Sequence, residues 1–199
     1  MSINLKKMKK NLLLTLTDVW CKISAVVVVL TFLYFTGLLI TYHIAPDYFG
    51  TKYLNLAGLF GGHMGYSVQE VFHLSEEAAP LHPFALKNIK PFSFYLIYLQ
   101  FSAILCCSFL VFKEGIKIIN SVKKVESFKE GNVVSLKKMG RYFFFIFLLS
   151  GFALVVADNG QFKGLFFNFT AFSLMAASYI MAEIFKQGYV LQEEIQNTI

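Results

Sequence analysis

Charge is scarce in this chain. Only 15% of its 199 residues are Asp, Glu, Lys or Arg, against about 25% in an ordinary soluble domain. Acid is scarcer than base, with 12 Asp and Glu against 18 Lys and Arg, for a net charge of +6. Cysteine is almost absent: Cys21, Cys106 and Cys107 form no CxxC pair, and the latter two sit as small apolar filler inside an apolar stretch. No HxxxH or HExxH spacing occurs, which removes the usual helical zinc signatures. Without converging reactive groups, the sequence gives no support to an enzyme and implies no cofactor.

What fills the space is apolar. Hydrophobic residues make up 56%, with 23 Phe and 10 Tyr. A soluble protein of this length would leave such residues in water as large patches. They fall instead into long uncharged runs. A bilayer core of about 30 Å needs about 20 apolar residues as a helix. The first run is Ile23–Tyr42 and the second Phe92–Phe112, both uncharged. The third, Tyr142–Ala157, is shorter, and the fourth, Leu165–Ile184, carries one acid, Glu183. Isolated spans satisfy their backbone groups only as helices. The fold class expected is therefore all-α: an integral membrane four-helix bundle. The first run is too long for a secretory leader and no small-x-small cleavage site follows it, so it reads as a retained anchor.

Loop charge orients these spans. Counting Lys plus Arg, residues 1–22 carry five, 43–91 three, 113–141 eight and 158–164 one. Basic loops stay in the cytoplasm. This places both termini and the basic segment 113–141 inside, and the loop 43–91 and the turn 158–164 outside, with residues 185–199 as a cytoplasmic tail. The expected location is the inner (cytoplasmic) membrane, multi-pass. The basic balance serves topology and anionic head groups. With no recognised fold for it, direct nucleic-acid binding is not expected.

The segments between spans have their own character. Residues 1–22 alternate Ile3, Leu5, Met8 and Leu12 with Lys6, Lys7, Lys9 and Lys10, an interfacial amphipathic helix with Trp20 at head-group depth. The loop 43–91 holds all four histidines, His43, His63, His73 and His82. Its GLFGGHMGYS reads as flexible or tightly turned, and SVQEVFHLSEEAAPLHP as a short helix. A metal site from His63, His73, His82, Glu76 and Glu77 is conceivable chemically, but the spacing does not ask for one. Ile116, Ile119, Val122 and Val125 mark an amphipathic helix ending near Gly131-Asn132, after which Ser135 N-caps the third span. DNGQFKG makes spans three and four a tight hairpin. FKEG occurs at Phe112–Gly115 and Phe128–Gly131, and FKQG at Phe185–Gly188; Phe, Lys and Gly are natural residues for a helix end at an interface.

The stretch FKEGNVVSLKKMGRYFFFIF and the tail AEIFKQGYVLQEEIQNTI resemble the bacterial domain-of-unknown-function family 2975, from about Phe128 to Ile199. Ala182, Glu183, Ile184, Phe185, Gly188, Leu191, Glu193, Glu194 and Thr198 are the most specific part. The resemblance implies a small four-span membrane protein and, since some members sit beside small helix-turn-helix regulators, a regulatory partner. It implies no catalytic residues.

Polar residues at span depth are Gln100, Ser102, Ser150, Asn168, Thr170 and Ser173, all uncharged and suited to bonds between helices; Ala176, Ala177 and Ser178 add a small-residue face. Glu183 is expected to pair with Arg141 or Lys138 as a structural clamp. The reading is a non-enzymatic membrane protein that binds a cytoplasmic partner, such as a small regulator, through Lys117, Lys123, Lys124, Glu193 and Glu194. The alternative is a small transporter or channel subunit using Gln100 or Asn168. An external metal-binding role through the His loop stands third.

Overall fold

A computed structural model describes residues 2–45, 64–71, 89–124, 128–158 and 160–198. The chain is mostly helical. Helix α1 is Ser2–Ile44, α2 is Pro91–Lys123, α3 is Glu130–Ser150 and α4 is Phe169–Thr198. Strands β1, Met64–Val71, β2, Phe152–Ala157, and β3, Gly160–Phe167, form one antiparallel sheet in the order β1-β3-β2. Two helices are long and apolar enough to cross a membrane, over Leu12–Ile44 and Pro91–Lys123. The basic amphipathic start and the first apolar run belong to one unbroken helix of 43 residues.

The sheet corrects the all-α expectation. Residues 152–157, expected as the end of span three, are β2, and residues 165–167, expected as the start of span four, belong to β3. Two local features explain it. Gly151 ends α3, its N–H bonded to Leu148 O at 3.2 Å and its carbonyl accepting from Phe166 N at 2.8 Å. The register then joins Ala157 to Gly160, leaving only positions 158 and 159 between the strands, and Asp and Asn are residues that tight turns favour. In the loop 43–91, residues 67–71 are strand, not helix, because β1 supplies the second edge that β3 needs. The remainder of that loop's expected helix and Gly-rich turn lies outside the described residues.

The α2–α3 connection differs as well. The helix expected to end near Gly131-Asn132 ends at Lys123, and α3 has already begun at Glu130, an acid suited to the positive end of the helix dipole. Ser135 therefore lies inside α3, buried, and caps nothing.

Contacts group into two compact units, each made of several chain segments. One comprises residues 1–29, 106–145 and 170–199; the other comprises 30–105 and 146–169. The second is built on the sheet. Ala153, Val155 and Ala157 alternate inward along β2, packing with Ile89, Phe162, Phe94, Ile97 and Phe166. The end of α1 joins the start of α2: Tyr42 stacks on Phe94 at 4.3 Å and donates to Ile89 O, Phe35 stacks on Phe101, and Thr36 bonds Tyr98.

A strand needs partners on both edges. The outward edge of β2 finds them on α2 and on the residue just before it. Val156 N–H donates to Ser93 Oγ at 2.9 Å, Lys90 N–H donates to Val156 O at 2.9 Å, and Gln100 Nε2 donates to Phe152 O at 2.8 Å and to Leu149 O. Ser93 and Gln100 are accordingly 0% and 8% exposed. A buried backbone group without a partner would cost about 1–3 kcal/mol.

Candidate interaction surface

Among the described residues, the first unit concentrates the paired charge. Asp18 on α1 accepts from Lys22 Nζ at 3.0 Å and Lys123 Nζ at 2.9 Å, tying α1 to α2. Bonds from Lys123 and then Lys22 hold its carboxyl below the usual carboxylate range, against the opposing effect of burial. On α2, just past the uncharged run 92–112, Glu114 accepts from Lys117 Nζ at 2.7 Å and from Ser135 Oγ of α3 at 2.8 Å. Burial pushes Glu114 up. The hydrogen bonds from Lys117 and Ser135, with the charges of Lys117 and Lys138, outweigh it and hold the group below its ordinary 4.5. Asn132 donates to Ser121 Oγ at 3.0 Å, a second polar link from α3 to α2.

Apolar packing joins α3 to α4 beside these links. Val133, Leu136 and Ala182 are buried together, with Ile118 and Phe185 against them. Glycine makes two close approaches possible. A Cβ at Gly140 would stand 2.9 Å from the Tyr179 ring, and one at Gly188 would stand 2.3 Å from the Phe128 ring. Phe128 also meets Phe185, with ring centroids 5.6 Å apart. The FKEG at Phe128 and the FKQG at Phe185 thus face each other: the Phe of one motif seats on the Phe and Gly of the other. Gly188→Leu is expected to expel Phe128 and to lower stability by about 1–3 kcal/mol. Gly188→Ala is expected to cost less, since alanine regains about 1 kcal/mol of helix propensity. Thermal unfolding of the two variants checks the order; equal melting of Gly188→Leu and the parent would contradict the seat.

The residues singled out in the sequence divide. Lys117 and Lys123 face inward ion partners, so neither is a free surface cation. Lys124, Glu193 and Glu194 are exposed, and Tyr189 donates to Glu193 at 3.2 Å along the tail. Glu183 pairs with Lys186 of its own helix at 3.7 Å, and among the described residues this pair stands in place of the expected tie to Arg141 or Lys138. The reason is helical phase. Ala182 is the position of α4 that is buried against α3, so Glu183, about 100° further round, is exposed. Lys138 lies instead where its charge reaches Glu114.

At span depth, Gln100 holds the carbonyls of Leu149 and Phe152, and Asn168 donates to Ser150 Oγ at 2.9 Å. Both are used within the protein. Ser178 bonds back to Leu174 O, while Thr170 and Ser173 are exposed. His43 uses both ring nitrogens, on Leu39 O and Tyr95 OH. His63, His73, His82, Glu76 and Glu77 lie outside the described residues. Among the described residues no three His, Cys, Asp or Glu gather as a metal site.

Sequence reading missed Asp18, Glu114 and Ser93. For the two acids a signal existed: each is a lone acid in a basic surrounding, with a lysine at i+4 or i+3, the spacing of helical ion pairs. For Ser93 none existed, because its partner is the backbone of a strand about sixty residues away.

The molecule so described is a predominantly helical protein with two helices of membrane-crossing length and composition, and a set of helices pinned by buried acids. Its residues 66–199 match the model of a protein family of unknown function, DUF2975, and the chain belongs to that family. No curated protein and no solved structure matches the chain.

Proposed function

We propose that this is a non-enzymatic integral membrane protein, four-spanning with both termini cytoplasmic, whose cytoplasmic face binds a partner protein. The observation that carries this reading is the end of α4. The helix continues unbroken to Thr198, well past the apolar run. Along it Leu191 and Ile195 are 59% and 63% exposed, one turn apart, with Val190 beside them and Glu193 and Glu194 between. Apolar residues at helical spacing on a solvated helix are the usual anchor set for a partner's groove. This stretch also lies within residues 66–199, which match the family. With Lys117 and Lys123 held by internal acids, the surface narrows to Lys124, Glu193, Glu194 and this apolar row.

The third apolar run, Tyr142–Ala157, passes from α3 into β2. A strand at membrane depth is tolerable only if protein pairs its edges, which is the role taken by Ser93, Lys90 and Gln100.

Affinity capture from native membranes tests the partner. The intact chain is expected to retain a soluble protein that Leu191→Glu/Ile195→Glu loses by at least tenfold, while Lys186→Gln keeps it. Equal capture by the double variant, or no soluble protein with either, would remove this reading.

A further inference from the structure

Of the eight basic residues in 113–141, several have internal partners. Lys117 serves Glu114, Lys123 serves Asp18, and Lys138 acts on Glu114. Lys137 and Arg141 on α3 are different. Both are exposed, and among the described residues no ion pair engages either. They stand four residues apart, so their charges share one helix face. The positions one turn away from them are Val133, Val134, Lys138, Gly140, Phe144 and Phe145, none of them an acid that could form the ordinary helical ion pair. Two like charges at this spacing repel and destabilise the helix unless an anion lies between them.

Towards the C-terminus the same face continues as apolar surface. Phe144 and Phe145, one turn beyond Arg141, are 42% and 51% exposed. Cation pair first and exposed aromatic surface next is the order that a lipid presents, with its phosphate at the interface and its acyl chains below. A soluble anion would need no such apolar continuation. A partner protein would not need the cations to stop where the apolar run begins. Arg supplies a planar fork that grips two phosphate oxygens, and Lys adds a point charge beside it.

We propose that Lys137 and Arg141, with Phe144 and Phe145, form a binding site for the phosphate and upper acyl chain of an anionic glycerophospholipid. The proposal rests on the reading that α3 enters the bilayer, and the experiment separates the two. The full chain carries Trp20→Phe, which removes its single tryptophan, and Phe145→Trp as reporter. It is reconstituted in phosphatidylcholine vesicles containing phosphatidylglycerol, with brominated acyl chains on one lipid or the other at matched mole fraction. Brominated phosphatidylglycerol is expected to quench the reporter in preference to brominated phosphatidylcholine. Lys137→Gln and Arg141→Gln are each expected to reduce that preference about fivefold, and together to abolish it, while Lys163→Gln leaves it unchanged. Equal quenching by both lipids, or a preference that survives the double substitution, overturns the site and leaves the span standing. Quenching by neither lipid overturns the site and the span together. Should Phe145→Trp fail to fold, Phe144→Trp reports on the same face with the same outcomes.

Discussion

Gln100→Leu is expected to destabilise the protein by about 2–5 kcal/mol, although it conserves volume and adds apolar character at an apolar site. Its side-chain amide donates to two carbonyls, Leu149 O at the last turn of α3 and Phe152 O at the start of β2. Removing the donor strands both acceptors, at about 1–3 kcal/mol each. Gln100 is itself only 8% exposed, so its amide is the donor placed against both carbonyls. Gln100→Glu is expected to be at least as damaging at neutral pH, since a carboxylate opposes two carbonyl dipoles where the amide donated to them. Ser93→Ala should cost less, because it strands one N–H, that of Val156. Unfolding in detergent, followed by the loss of helical signal, gives the order. Parental stability in Gln100→Leu would mean that β2 does not depend on α2 for its outer edge. The same experiment bears on transport: a glutamine whose donors are held by backbone carbonyls is positioned to brace the hairpin.

Removing the carboxylate at Glu114 is the second large effect. Glu114→Ala is expected to cost about 3 kcal/mol, the worth of hydrogen bonds to a charged acceptor. Lys117 can swing into water, being half exposed, so the loss falls mainly on the bond from the buried Ser135 hydroxyl. The pH dependence follows from the direction of the shift. Glu114's carboxyl is held below its ordinary 4.5 in the folded protein, so the stability it contributes is complete above that value. It is lost as pH falls through the folded pKa. The parent should therefore lose stability on acidification in a window below pH 4.5 that Glu114→Gln flattens. Glu114→Gln keeps an acceptor for Ser135 and should be the milder substitution at neutral pH. An acid limb identical in parent and Glu114→Gln would remove Glu114 from the pH response, and a neutral Glu114→Ala would remove it from the packing of α2 on α3.

Much of the helical framework is legible in the sequence because hydropathy is additive. Uncharged runs at Ile23–Tyr42 and Phe92–Phe112 lie in helices that the structure carries well beyond them, and the tail from Ala182 onward is helical and matches its family. The lone acids Asp18 and Glu114 had a readable signal in their lysines one turn on. The strand pair 152–157 and 160–167 had one too, in the turn-forming residues Asp158 and Asn159 between apolar runs, but composition alone does not separate a short apolar strand from the end of an apolar helix.

By itself, then, the sequence determined where apolar surface accumulates, how long each run is and which segments carry base. Those depend on side-chain composition, which is local. Only the tertiary structure decided that the second hairpin opens into strands, that Ser93 and Gln100 serve the backbone of β2, and that Lys117 and Lys123 answer acids while, among the described residues, Lys137 and Arg141 do not. Each of these turns on which backbone group or charge comes within hydrogen-bonding distance of another from a distant part of the chain, a distance that only the folded chain supplies.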